Sequence, residues 1–208
     1  MADGIDEGAS GIVADVESYL ARPEVRRRFV HVGGAVFPLA YVVGVVTWSQ
    51  LRLIYVAGLL LALVLEFVRL VLGVEWWLFD QLARDYERSN VAGYALYVIG
   101  STAAVLVFDP RVAVPAVLML AVVDPVSGLL ADNEFREPKR PLVLAVAFAL
   151  SGLLAIPFVS LPSALLGAAA TTVADGMTPV VRGHAIDDNL TIPVGAGAAM
   201  WVGLQLPF

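Results

Sequence analysis

What this chain of 208 residues is short of narrows it before any motif does. It has no cysteine, which excludes disulfides, iron–sulfur clusters and thiolate metal sites. Lysine is nearly absent: Lys139 is the single lysine among 13 basic residues, set against 19 acids for a formal net charge of −6. No basic footprint for DNA or RNA is present, so nucleic acid is not an expected partner. Charged residues make up only 15% of the chain, well below the roughly 25% of a soluble globular domain. Hydrophobic residues make up 59%. There is too little polar surface to face water on all sides, so the composition reads as an integral membrane protein. Its arginine-rich, acidic balance is in keeping with a GC-rich, salt-loving microbe.

Among motifs, there is no Walker A stretch, no His-Glu-x-x-His and no Gly-x-Ser-x-Gly elbow. No serine stands beside both His and Asp in the sequence, which disfavours nucleophilic hydrolysis. Phosphoryl transfer is favoured, because it asks mainly for positioning, a divalent cation and positive charge around the phosphates.

What is there is a series of apolar stretches, at 29–48, 51–73, 91–108, 111–131, 141–160, 162–176 and 190–207. Backbone amides in hydrocarbon must be satisfied within their own segment, so these runs predict helices. The expected fold is all-α: a polytopic transmembrane helical bundle of about seven spans. The N-terminus carries Asp3, Asp6 and Glu7 where a secretory signal would need positive charge. Ile12, Val13, Val16, Tyr19 and Leu20 recur there at helical spacing, which predicts an interfacial amphipathic helix over 1–25 ahead of a membrane domain over 26–208.

Alternating the loops with the N-terminus inside collects Arg22, Arg26, Arg27, Arg28, Arg69, Arg84, Arg88, Arg136, Lys139, Arg140 and Arg182 on one side, and leaves Arg52 and Arg111 on the other. That bias sets the orientation, with the cell membrane as the location. Of the acids only Asp109 falls outside, so any chemistry faces the cytoplasm.

Five groups of residues could carry it. Arg27 and Arg28 precede His31 by one helical turn, so their guanidinium forks share its face. Glu66 and Arg69 form an i, i+3 pair inside the second stretch, where each charge costs at least ~2.5–3.5 kcal/mol on insertion scales. Glu87 is the acid of the Asp80–Tyr97 charge run closest to the third stretch. Asp124, amid Leu-Ala-Val-Val and followed by Pro125 and Gly128, must pair, bind a cation or hold a proton. The richest group is Asp175, Arg182 and His184 followed by Asp187, Asp188 and Asn189. Two adjacent carboxylates and an amide can hold a cation, although one of the three also suits the N-cap of the last helix.

The run Asp187-Asp188-Asn189-Leu190-Thr191-Ile192-Pro193 resembles the C-terminal Asp-Asn-Leu-Thr-(Ile/Val)-Pro signature of the dolichol kinase and phytol kinase family. The resemblance extends over about residues 26–195. Arg27 through Gly33 is similar to that family's opening Arg/Lys-x-x-His-x-x-Gly block, and Glu66-Phe67-Val68-Arg69 to its Glu-x-x-Arg. Glu87 with Gly93-Tyr94-Ala95-Leu96-Tyr97 is similar to its acidic residue before Gly-x-x-Tyr, and Asp124 falls where it has Asp-x-x-Ala. Where the family shows Gly-Arg-x-x-Gly and Lys-Ser-x-Glu-Gly, this chain offers only Gly128, Lys139 and Arg140.

The resemblance implies a membrane kinase that transfers the γ-phosphate of a nucleotide to an isoprenoid alcohol such as dolichol or another prenol. CTP is the expected donor, with ATP open. Asp124, Asp187 and Asp188 would hold Mg²⁺ or another divalent cation, with His31 beside them in the catalytic set. Arg27, Arg28, Lys139, Arg140, Arg182 and Asn189 would bind the nucleotide, and Glu66, Arg69 and Glu87 would orient the alcohol. The alternatives are a CTP-dependent lipid cytidylyltransferase and a non-catalytic lipid-binding or transport protein on the same scaffold.

Overall fold

The computed structural model describes residues 23–77, 79, 83, 87–131, 139–177, 180–181, 184–185 and 187–207. The predicted helix over 1–25 falls almost wholly outside them, as do Arg84, Arg136 and Arg182. Among the described residues the chain is helical apart from one short strand pair. The helices are α1 (Pro23–Gly33), α2 (Val36–Val42), α3 (Trp48–Leu70), α4 (Gly93–Val107), α5 (Pro110–Leu118), α6 (Asp124–Leu130), α7 (Pro141–Ala155), α8 (Leu161–Gly176) and α9 (Asp188–Gln205). A π-helical turn, Met119–Val123, joins α5 to α6 into one rod. Strands β1 (Val180–Val181) and β2 (His184–Ala185) pair antiparallel between α8 and α9, with Val181 opposite His184.

Local sequence sets the helix ends. Thr47 caps α3 in a reciprocal box, its hydroxyl accepting from the Gln50 amide at 3.3 Å while the Thr47 amide donates to Gln50 Oε1 at 2.8 Å. Prolines open α5, α7 and α8, where a missing N–H costs nothing. The π turn has a local cause as well. Pro125 has no N–H to return to the carbonyl four residues back, so the helix widens just ahead of Asp124.

The six later apolar stretches each become a helix, or the continuous rod, with boundaries within a few residues of those predicted. The first does not form one continuous helix. It divides at Gly33–Gly34 into α1 and α2, and the chain turns again at Gly44, whose φ is +77°. The division has a packing reason: a side chain at Gly34 would collide with the Tyr97 hydroxyl of α4.

Among the described residues two helices are long and apolar enough to cross a bilayer, α3 with 23 residues and the rod Pro110–Leu130 with 21. At 1.5 Å per residue these reach roughly 34 and 31 Å, against a hydrocarbon core of about 30 Å. They sit differently. The rod is central, with 72% of its apolar window buried, whereas only 22% of that of α3 is. Leu53, Leu60, Leu61, Val64 and Phe67 form an apolar face of α3 turned away from the protein.

Around the rod, α8 packs against α7 and α9, and α9 packs against α4 and α5. Close approach rests on small residues. A Cβ on Gly100 of α4 would stand 2.6 Å from the Asn189 carbonyl oxygen and 2.9 Å from Pro193 Cγ, so glycine alone permits this α4–α9 contact. Met119 on the π turn accepts the Thr171 hydroxyl of α8 at 3.1 Å, which holds the last turn of α8 over the start of α6.

Candidate metal centre

The contacts of α4, α8 and α9 with the rod bring three carboxylates from distant parts of the chain to one place. Asp124 enters where the π turn gives way to α6, Asp175 comes from the last turn of α8, and Asp188 from the first turn of α9. One oxygen from each lies within 4.8 Å of the others.

Around this cluster the polar neighbours are specific. Lys139, just ahead of α7, places its ammonium 2.6 Å from Asp175 Oδ1 and donates to Ser127 Oγ at 2.9 Å. Ser127 in turn donates to the same Asp175 oxygen at 2.7 Å. His31 Nδ1 lies 3.3 Å from Asp124 Oδ2, and its ring packs on Tyr97 with centroids 4.8 Å apart. The Tyr97 hydroxyl donates to the His31 carbonyl at 3.4 Å, tying α1 to α4. Arg28 lies alongside Gly128, with its Nη2 3.3 Å from where a Cβ would stand.

The donor set fits a hard divalent cation. Three carboxylates this close repel unless a proton or a cation intervenes, and the Lys139 ammonium pairs directly with Asp175. The second oxygen of Asp175 is buried with no hydrogen-bond partner. Such an orphan costs ~1–3 kcal/mol, which coordination would remove. All-oxygen donors without sulfur suit Mg²⁺ or Mn²⁺ rather than a soft metal.

This arrangement differs from the expected ligand set at one position. Asp187 is not in the cluster; it is the N-cap of α9. Its Oδ1 accepts from the Asn189 amide at 2.9 Å and from Asn189 Nδ2 at 2.6 Å. Its carbonyl also accepts from Leu190 N and from the Thr191 hydroxyl. Of the adjacent aspartates one ends the loop and the other faces the cluster, since successive helical residues are turned by about 100°. Asp175 takes the place expected for Asp187.

Asn189, whose Nδ2 donates to that cap while its Oδ1 is buried without a partner, stands beside Gly93, as does Glu87 Oε1 from the preceding loop. Glu66 and Arg69 form a separate brace. Arg69 grips Glu66 in a bidentate pair at 3.0 and 2.7 Å and also donates to the carbonyls of Glu87 and Asn90. Glu66 Oε2 accepts from the Ala92 amide at 3.1 Å. These contacts fasten the loop that leads into α4, and Glu87 is held by it through its backbone. Arg27 is half-buried on α1, and Arg140 is exposed at the head of α7. Arg182 lies outside the described residues.

Sequence reasoning named Asp175 beside the last cluster without making it a ligand, and did not single out Ser127. The signal for Asp175 was an acid on an otherwise apolar, alanine-rich helix. Nothing local marks Ser127. Comparison with protein-family models, with curated proteins and with solved structures gives no match to this chain.

Proposed function

We propose that this protein is an integral membrane kinase that transfers the γ-phosphate of a nucleoside triphosphate, CTP first, to the hydroxyl of an isoprenoid alcohol. The observation that carries the reading is the convergence of Asp124, Asp175 and Asp188 beside Lys139, within a bundle whose outer helix α3 presents apolar side chains outward. The resemblance to the dolichol kinase and phytol kinase family adds the acceptor and the donor.

The proposed topology has seven spans with the N-terminus in the cytoplasm. Its support is positional: in an alternating series, the ends of α3, α6 and α8 and the starts of α4, α7 and α9 all fall on one side. That is where Arg69, Asp124, Lys139, Asp175 and Asp188 stand, and the basic loops fall on the same side. The exposed apolar face of α3 is a patch of the kind that marks a membrane or protein contact.

In this reading Asp124, Asp175 and Asp188 hold the divalent cation, which supplies charge neutralisation on the nucleotide phosphates. Lys139 and Arg28 supply further positive charge around them, and Arg140 stands exposed at the head of α7 to meet a water-soluble nucleotide. The half-exposed Asp188 carboxylate accepts the hydroxyl proton of the alcohol, late, as a loose transition state requires. His31 holds Asp124 in place and is itself held by Tyr97.

The experiment is transfer of label in lipid nanodiscs, with Mg²⁺, a panel of prenols, and CTP or ATP labelled at the α or the γ position. The expected result is γ-label in a prenyl phosphate. Label from the α position would instead make the protein a cytidylyltransferase, and no transfer from either donor to any prenol overturns the enzymatic reading.

A further inference from the structure

Between α8 and α9 runs a groove of about 560 Å³. Its walls are made by Ala170, Val173 and Ala174 on α8 and Met177 just past its end, with Thr191 and Gly195 on α9. On α8, Ala170, Val173 and Ala174 share one face, turned away from that of Asp175, and Met177 continues the wall just past the helix end. On α9, Asp188, Thr191 and Gly195 share a face in the same way. Along α9 the wall therefore leads one turn past Thr191 to Asp188, a member of the carboxylate cluster, and the other end lies about 10 Å along α8 at Ala170. Val173 and Met177 are 59% and 63% exposed, so the groove is open along its length.

An apolar trench that is open sideways and leads along α9 to the Asp188 carboxylate matches an amphiphile with a small polar head and one flexible apolar chain. We infer that the groove holds the head-proximal part of the alcohol's isoprenoid chain, and that Gly195 keeps it clear. This rests on the kinase reading for the identity of the head group. The remainder of a long chain lies in the lipid beyond Ala170. Gly195 is suited to the role, because a Cβ there meets nothing within 4 Å. The packed face of α9 is a different one, made by Ile192, Pro193, Ala196, Gly197 and Met200. A larger side chain at residue 195 fills the groove without disturbing that packing.

The test is photolabelling in nanodiscs with a geranylgeraniol that carries a diazirine in the isoprene unit next to the hydroxyl, without nucleotide or added metal. Adducts are expected within residues 169–177 or 191–195 and are suppressed by excess geranylgeraniol. Gly195→Leu, and independently Ala170→Leu from the opposite wall, lower the labelling at least tenfold. Leu153→Trp, at an exposed apolar position of α7, leaves it unchanged. In the transfer assay Gly195→Leu raises KM for geranylgeraniol and spares kcat, with no change for a five-carbon prenol.

Adducts spread over the face of α3, or equal labelling in both groove variants, overturn the inference. So does suppression by phosphatidylcholine as effective as that by the prenol, since the occupant is then an ordinary acyl chain. A change from dimer to monomer in Gly195→Leu also overturns it, since the groove then seats a second copy. Competable labelling without phosphoryl transfer to any prenol contradicts the kinase reading and leaves the groove assignment standing. Transfer with unaltered labelling and KM in the variants does the reverse.

Discussion

Asp188→Asn and Asp175→Asn are each expected to lower phosphoryl transfer by more than ~10²-fold, the scale seen when a group that stabilises transition-state charge is removed. Asp187→Asn is expected to leave the rate within about a factor of two, because Asn caps a helix as well as Asp does. The adjacent pair thus makes an internal control. The two damaging substitutions separate further by thermal melting of the metal-free protein. Asp175→Asn strips Lys139 of its carboxylate and lowers the melting temperature, as breaking one side of a buried pair does. Asp188→Asn removes one of three mutually repelling charges and raises it, at the expense of function. If Asp188→Asn melted lower than the parent and kept its rate, that residue would have no part in the cluster's chemistry.

The largest effect on stability is expected at the brace under α4. Arg69→Met strips Glu66, only 5% exposed, of its guanidinium and leaves it the Ala92 amide as a backbone donor, and takes a donor from the carbonyls of Glu87 and Asn90. An uncompensated buried charge of this kind costs ~3–5 kcal/mol. For a chain of this size each kcal/mol shifts the melting temperature by roughly 2–4 °C. Thermal unfolding should therefore fall by about 6–20 °C. The double variant Glu66→Gln/Arg69→Met should recover much of that loss, because the stranded charge is gone. A double variant no better than the single one would show that the carboxylate is not what makes the loss large. The pair then acts on chemistry mainly by placing the loop that carries Glu87.

These two sites also show what a sequence of this kind makes legible. Apolar runs translate directly into helices, since a polar backbone in an apolar setting has few other options. That is why the rod Pro110–Leu130 and α9 begin and end within two residues of the stretches read at 111–131 and 190–207. The division of the first stretch was not legible. Two glycines inside an apolar run look the same whether they pack one helix or separate two, and the deciding contact, with Tyr97, comes from another helix.

Charges inside apolar runs stand out because they are costly, and so Asp124, Glu66 and Arg69 were conspicuous. Which of two neighbouring aspartates faces the interior depends on where α9 starts, and that is set by a cap a single residue wide. Ser127 carries no local signal at all. It matters only because Lys139 and Asp175, from two other parts of the chain, meet at its hydroxyl.

The account rests on one divalent ion held by acids from three separate segments. Titration with Mn²⁺, followed by electron paramagnetic resonance in nanodiscs, tests this directly. One bound ion per chain is predicted for the parent protein and for Asp187→Asn. At least a tenfold weaker site is predicted for Asp124→Asn, Asp175→Asn and Asp188→Asn alike. The same affinity in all five proteins, or loss in Asp187→Asn alone, would contradict it.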